Sequence, residues 1–148
     1  MDEKLMDNLF YVCILLEYIA RKTANRRSDV ISYFDKDDIN REMCMADVNM
    51  EMTFDEVASG LIVDYGITRG QFDTVRTCQF TVPSVISIGR VYQELILAVR
   101  RPDQGIEQTL IDVFSSFISD EIADFNANIY YSNIDYLRCC YLEGELLP

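Results

Sequence analysis

The sequence predicts an all-α fold, a single-domain bundle of about six helices. Apolar residues recur every three or four positions over most of the chain, which is the spacing of one face of a helix. Ser, Thr or Asp precedes several of these segments and glycine follows two of them, as expected at helix ends. At most one short extended segment is expected, near residues 78–82. The whole chain, residues 1–148, fits one domain.

The first helix is predicted over residues 2–22. Acidic residues in its first turn and Arg21 and Lys22 in its last turn oppose the helix dipole favourably. Its apolar stripe consists of Leu5, Leu9, Val12, Leu16 and Ile19.

Two short helices and one longer helix should follow. Ser28 is expected to cap the first short helix and Asp37 the second. Thr53 and Glu56 have the spacing of a capping box, so a longer helix should begin there, and Gly66 is expected to end it.

Residues 67–77 form a polar connector, and this segment is the candidate seam between two halves of the domain. Residues 78–82 alternate between apolar and polar side chains and lead to Pro83. The residue before a proline is pushed towards extended geometry, so we interpret this segment as an extended lead-in. Strand pairing across a dimer is the alternative.

The second half of the chain should contain three helices. One begins after Pro83-Ser84 and stops before Pro102. The longest helix is predicted over residues 105–125, because its apolar stripe continues without interruption over that range. A final short helix should start at Ser132 or Asn133 and end at Gly144.

Several chemistries are excluded by composition. Histidine is absent, which rules out Ser-His-Asp catalysis, Cys-His catalysis and histidine-dependent metal sites. The five cysteines include one adjacent pair and no C-x-x-C motif, so neither a disulfide framework nor a zinc knuckle is expected. We therefore expect no enzymatic activity, no metal and no cofactor.

The compartment predicted by the sequence is the cytoplasm. The first residues are acidic, and Glu17 interrupts the apolar run that follows them, unlike the pattern of a signal peptide. No apolar stretch reaches the length of about 18 residues needed to span a bilayer.

Negative charge is concentrated in the C-terminal third. The chain carries a net charge of −12, and residues 101–148 contain nine acidic residues against only Arg101 and Arg138. Such a surface favours a basic protein partner and disfavours nucleic acid. The one basic cluster, RKTANRR at residues 21–27, is expected to be a solvated helix end and loop.

The segment from Pro83 to Arg90 raises the question of an anion site. The N–H groups of a helix start, the hydroxyls of Ser84 and Ser87 and the Arg90 guanidinium are suitable donors. No G-x-x-x-x-G-K-[ST] or G-x-G-x-x-G motif is present, which favours a simple helix start capped by Ser84. Gly89 inside this helix is unfavourable by about 1 kcal/mol relative to alanine, which predicts the close approach of a neighbouring helix.

Three stretches carry a resemblance to known proteins. PSVISIGRVYQELI and the later FSSFISDEIADFNANIYYSNIDYLRCCYLEGE resemble segments of small uncharacterised helical proteins of anaerobic Gram-positive bacteria. The N-terminal FYVCILLEYIARKTANRRSDVISYF is similar to a short helical family often encoded beside ADP-ribosyltransferase-like proteins, in toxin–antitoxin-like cassettes. The resemblance implies an interaction partner or neutraliser and supplies no catalytic residues.

The leading functional hypothesis is a non-catalytic acidic interaction module, antitoxin-like or a regulatory subunit. Its partner surface would be formed by Asp120, Asp124, Tyr130, Tyr131 and Tyr136. The tyrosine rings would equally cover the core with their hydroxyls in water, and this reading stays open. The alternative function is small-ligand or anion binding at the helix start described above, and homo-oligomerisation is also left open.

Overall fold

The computed structural model describes residues 2–148, without the side chain of Met50. Within this range the chain forms eight α-helices and two short 3-10 turns, Val48–Glu51 and Ile129–Tyr131, and no strand. The helices are α1 (Glu3–Thr23), α2 (Arg27–Ile31), α3 (Lys36–Met45), α4 (Phe54–Tyr65), α5 (Val85–Val99), α6 (Ile106–Ser115), α7 (Phe117–Ala123) and α8 (Ile134–Glu143). The predicted all-α class is confirmed, whereas the expected number of about six helices is too low.

The helix predicted over residues 105–125 is in fact two helices, α6 and α7, separated at Ser116. The backbone of Ser116 is extended, with φ −82° and ψ 168°. Its hydroxyl donates to the carbonyl of Val113 at 2.7 Å, and the hydroxyl of Ser119 donates to the carbonyl of Ser116 at 3.0 Å. Such side-chain bonds to the backbone compete with the helical ladder and explain why the helix is interrupted.

Several predicted helix ends are confirmed. The Thr53 hydroxyl accepts the N–H of Glu56 at 3.1 Å, and the Glu56 carboxylate reaches back to the N–H of Thr53, which completes the capping box of α4. Gly66 and Gly144 end α4 and α8 in the left-handed conformation, with φ of 63° and 81°. Asn133 caps α8 by accepting the N–H of Asp135.

Two predicted caps are wrong. Helix α3 is capped by Asp35 rather than Asp37, because Asp35 and Asp38 form a reciprocal capping box. The Asp35 carboxylate accepts the N–H of Asp38 at 2.9 Å, and the Asp38 carboxylate accepts the N–H of Asp35 at 3.0 Å. Helix α2 begins at Arg27, before Ser28, and its cap position, Arg26, makes no side-chain capping bond.

Helix α1 lies at the centre of the bundle. It packs against α2, α3, α4 and α5, so side chains around most of its circumference are buried. Helix α5 runs antiparallel to α1, because Ile14 lies opposite Gly89 while Met6 lies opposite Gln93. A Cβ atom at residue 89 would lie 2.5 Å from Ile14 Cγ1 and 3.1 Å from the Ile14 backbone nitrogen, which confirms the predicted close approach.

The connector between the two halves is held to the body of the protein. The N–H groups of Gly70 and Phe72 donate to the carbonyls of Thr23 and Ala24, both at 2.8 Å, where α1 ends. Further along, residues 78–82 approach Pro83 without pairing as a strand. None of the helices that the structure describes has both the length and the apolar character needed to cross a bilayer.

Candidate functional site

A groove lies between the N-terminal half of α5 and the 3-10 turn that contains Tyr130 and Tyr131. It comprises a cavity of about 640 Å³ and a neighbouring cavity of about 650 Å³, and the two share the lining residues Thr81 and Tyr130. We call both cavities together the α5 groove. Its lining residues are Phe80, Thr81, Pro83, Ile86, Ser87, Arg90, Val91, Phe125, Asn126, Asn128, Tyr130 and Tyr131.

The walls of the α5 groove are fixed by contacts between segments distant in sequence. Asn126 bridges to the lead-in segment: its side-chain oxygen accepts the N–H of Gln79 at 2.7 Å and its amide donates to the carbonyl of Thr77 at 3.2 Å. The Tyr130 ring packs edge-on against Phe125, with centroids 6.1 Å apart. The lead-in segment and the turn after α7 are therefore held next to each other in the lining of the groove.

The three residues predicted as anion contacts bond within the chain. Ser84 Oγ accepts the N–H of Ser87 at 3.0 Å, and the two hydroxyl oxygens are also 3.0 Å apart. The Arg90 guanidinium stacks 3.9 Å above the ring of Phe10 and donates to the side-chain oxygen of Gln93 at 2.6 Å. Ser87 and Arg90 line the α5 groove, and Ser84 acts as the N-cap of α5.

The five residues predicted as a partner surface do not lie together on one surface. Tyr130 and Tyr131 line the α5 groove, and Tyr131 is 85% exposed. Asp124 lies exposed at the end of α7, where its carboxylate accepts the N–H of Asn126 at 3.1 Å. Tyr136 lies elsewhere, and its hydroxyl donates to the carbonyl of Leu147 at 2.8 Å.

Asp120 forms an ion pair, and 37% of its side chain remains exposed. One of its carboxylate oxygens accepts from the Arg26 guanidinium at 2.5 Å, and the other is buried without a hydrogen-bond partner among the described residues. Asp120 therefore connects α7 to the loop after α1. Of the predicted set, Tyr130 and Tyr131 line the α5 groove, and Asp124 directly precedes Phe125, which lines it too.

A buried ion cluster is the polar feature that the sequence reasoning missed. Glu17 is fully buried and Arg27 is 1% exposed. The Arg27 guanidinium donates to both Glu17 carboxylate oxygens, at 2.8 and 2.5 Å, and Arg21 donates to Glu17 at 2.8 Å. The prediction of a solvated basic cluster at residues 21–27 is thus wrong for Arg27, because its charge is needed to neutralise Glu17.

The electrostatics of this ion cluster follow from burial and pairing. Burial raises the pKa of Glu17, but the charges and hydrogen bonds of Arg27 and Arg21 outweigh burial and hold the pKa below its ordinary value. Burial, together with the nearby Glu17 charge, raises the pKa of the Tyr92 hydroxyl well above its ordinary value. The cluster joins α1 to α2, and its residues do not line the α5 groove.

The sequence contains signals of two features that were not predicted, the buried charge of Glu17 and the exposed apolar residues of the α5 groove. Glu17 interrupts an apolar helix face, and arginines follow it at positions 21 and 27. Because a charge on a buried face needs a partner of opposite charge, this pattern indicates an ion pair. Phe80 and Ile86 are 69% and 55% exposed in the α5 groove. Ile86 falls outside the apolar stripe of its helix, which is the signal of an exposed apolar side chain.

Comparisons with family models, with curated proteins and with solved structures find no match to this chain.

Proposed function

We propose that this chain is a non-catalytic acidic interaction module that binds a basic protein partner in the bacterial cytoplasm. Carboxylates in the C-terminal third that lack a cation partner carry the proposal. Six of the nine acidic residues between 101 and 148 have no Lys or Arg nitrogen within 4 Å among the described residues. These six are Glu107, Asp112, Glu121, Asp124, Glu143 and Glu145.

Unneutralised carboxylates on one part of a protein steer and orient a partner of opposite charge. Within the bundle, α7, the 3-10 turn at Ile129–Tyr131 and α8 are neighbours, so much of this negative charge belongs to adjacent elements. Tyrosines among these acidic residues supply the amphipathic contact area that protein interfaces favour. An antitoxin-like or regulatory subunit is the biological role that the resemblance of the sequence supports.

The non-catalytic part of the proposal is supported by the location of two groups whose pKa values are shifted. Glu17 and Tyr92 are both fully buried in the protein interior, where no substrate reaches them. The alternative function, anion binding at the start of α5, has less support. Its side-chain donors are already engaged, since Ser84 bonds to Ser87 and Arg90 to Gln93.

The proposal is tested by capture of the partner with matched charge variants. The full chain would be used as bait in its native host, with captured proteins identified by mass spectrometry. The variant Asp124→Asn/Glu143→Gln removes two unneutralised acids of the C-terminal third. The control, Asp37→Asn/Asp64→Asn, removes two exposed acids from α3 and α4.

We expect one basic protein to be enriched by the wild-type chain and by the control, and to be captured less by the C-terminal variant. Calorimetry with the purified partner should show affinity that weakens as salt concentration rises. Equal capture by both variants, or no enriched basic protein, would contradict the proposal.

A further inference from the structure

The α5 groove exposes apolar side chains of a size rarely left in water together. Phe80, Ile86 and Tyr131 all line it and are 69%, 55% and 85% exposed. Exposed apolar residues that gather in one concave surface mark a binding site, whereas single ones do not. The groove is therefore the strongest candidate for a contact surface on this protein.

The chemistry of the groove suits a protein side chain. Tyr130 and Tyr131 pack edge to face, with centroids 6.4 Å apart, and Tyr130 also packs edge-on against Phe125. Such rings offer a large contact area at a small loss of conformational entropy, and tyrosine is enriched among the residues that dominate binding energy. Pro83 and Val91 complete an apolar floor on the α5 side.

Two exposed carboxylates neighbour residues that line the groove. Asp124 directly precedes Phe125, and Glu94 lies one turn beyond Arg90 on α5, on the face that includes Val91. Both carboxylates are exposed and have no cation within 4 Å among the described residues. Arg90, the one cation among the residues lining the groove, is stacked on Phe10 and bonded to Gln93.

We infer that the α5 groove holds an aliphatic or aromatic side chain of the partner, from a segment with lysine or arginine on both sides of that side chain. The inference rests on the proposed function and adds where the partner docks and which part of it is recognised. Apolar burial in the groove supplies affinity, while Asp124 and Glu94 select the flanking charge.

Three labelled peptides test this inference by fluorescence anisotropy with the full chain. The first has lysines on both sides of a central Leu-Phe pair, the second replaces that pair by two serines, and the third replaces the lysines by glutamates. We expect the first peptide to bind, and each of the other two to bind at least about tenfold more weakly.

Matched variants localise the binding. Tyr131→Ser and Ile86→Ser remove exposed side chains of the groove, so folding is preserved, and each should weaken binding of the first peptide by about tenfold. Val63→Ser is the control, because Val63 is 78% exposed on α4 and does not line the groove. Circular dichroism checks that all three variants keep the helical fold.

Equal binding of the Leu-Phe and serine peptides, or no effect of Tyr131→Ser, would overturn the inference while the proposed acidic interaction module stands. Tighter binding of the glutamate peptide, or no binding of any peptide, would also overturn it. A failed partner capture with successful peptide binding would instead contradict the proposed function.

Discussion

At the scale of single residues, the Glu17 carboxylate is a charge whose burial in the core is unfavourable unless it is paired. It is fully enclosed and receives hydrogen bonds from Arg27 and Arg21. A buried charge keeps a folded protein stable only when its partner remains in place, whereas the pair as a whole is replaceable by apolar residues. Glu17 and Arg27 therefore act as one unit.

Removing one member of this pair should destabilise the protein strongly. Glu17→Gln leaves the buried Arg27 guanidinium without its paired carboxylate, and we expect a loss of about 3–5 kcal/mol in the free energy of unfolding. Urea denaturation measures it. In the double variant Glu17→Leu/Arg27→Met the loss should be smaller, and a double variant less stable than Glu17→Gln would contradict this account.

The same pair predicts a pH dependence. The folded-state pKa of Glu17 lies below the ordinary value of 4.5, so its contribution to stability is present above pH 4.5 and is lost as pH falls through the folded pKa. The free energy of unfolding of the wild type should therefore fall more steeply below pH 4.5 than that of Glu17→Gln. Parallel pH profiles of the two proteins would refute this.

At position 89 the close approach of α1 to α5 leaves room only for glycine. An added methyl group would lie 2.5 Å from Ile14 Cγ1 and close to the Ile14 backbone. Gly89→Ala should lose about 1–3 kcal/mol of stability, because overpacking outweighs the helix preference of alanine. Gly89→Leu should lose more.

Gly60 in α4 is the matched control for Gly89. A Cβ atom at residue 60 would meet nothing within 4 Å, so Gly60→Ala should raise stability by about 1 kcal/mol. Thermal unfolding of the two variants, compared with the wild type, checks the opposite signs. A stabilising Gly89→Ala would show that α1 and α5 are not in close contact at this point.

At the scale of helices, local side-chain hydrogen bonds mark where several elements begin or are interrupted. The capping boxes at Thr53 and Asp35 bond groups only three residues apart. Their formation therefore depends on the local sequence and not on distant parts of the chain. The break at Ser116 has the same local character, since its hydroxyl bonds to Val113. An apolar stripe shows which face is buried and does not show whether the backbone stays helical, so the stripe over residues 105–125 concealed this break.

The cap of α4 gives a prediction at this scale. Thr53→Ala removes the acceptor of the Glu56 N–H and should lower the free energy of unfolding by about 1 kcal/mol. Thr68→Ala is the control: only the backbone carbonyl of Thr68 is bonded, so its effect should stay within about 0.5 kcal/mol. Chemical denaturation of both variants measures the difference, and equal effects would contradict the capping role.

At the scale of the whole molecule, the two halves of the sequence share α1. Gln93 of α5 donates to the carbonyl of Met6 at 2.9 Å, and Arg26 pairs with Asp120 of α7. Contacts of this kind cross the candidate seam at residues 67–77, and they leave neither half with a complete apolar interior of its own. That residues 1–148 fold as a single domain remains a prediction, to be tested by unfolding the protein in solution.

We expect one cooperative unfolding transition for the full chain, with calorimetric and van't Hoff enthalpies that agree. Fragments 1–77 and 78–148 should each be unfolded, because α1 and α5 lose the faces they bury against each other. Scanning calorimetry and NMR of the fragments are the measurements. A dispersed NMR spectrum from either fragment alone would show that the seam divides two domains.

The fold class and most helix positions were predictable from the sequence, because spacing and capping act over a few residues. The start of α5 after Ser84, the box at Thr53 and the glycine ends at Gly66 and Gly144 all follow from neighbouring residues. The concentration of acidic residues in the C-terminal third was equally evident, since charge is a property of composition.

Only the tertiary structure decided which distant residues meet. Glu17 and Arg27 are separated by α1's last turns and a loop, and the α5 groove joins residues near 80 to residues near 130. Periodicity shows that a helix has a buried face without specifying its neighbour, because many arrangements bury similar apolar area. Tyr131 thus became part of a groove, and Asp120 part of an ion pair, only when the helices packed.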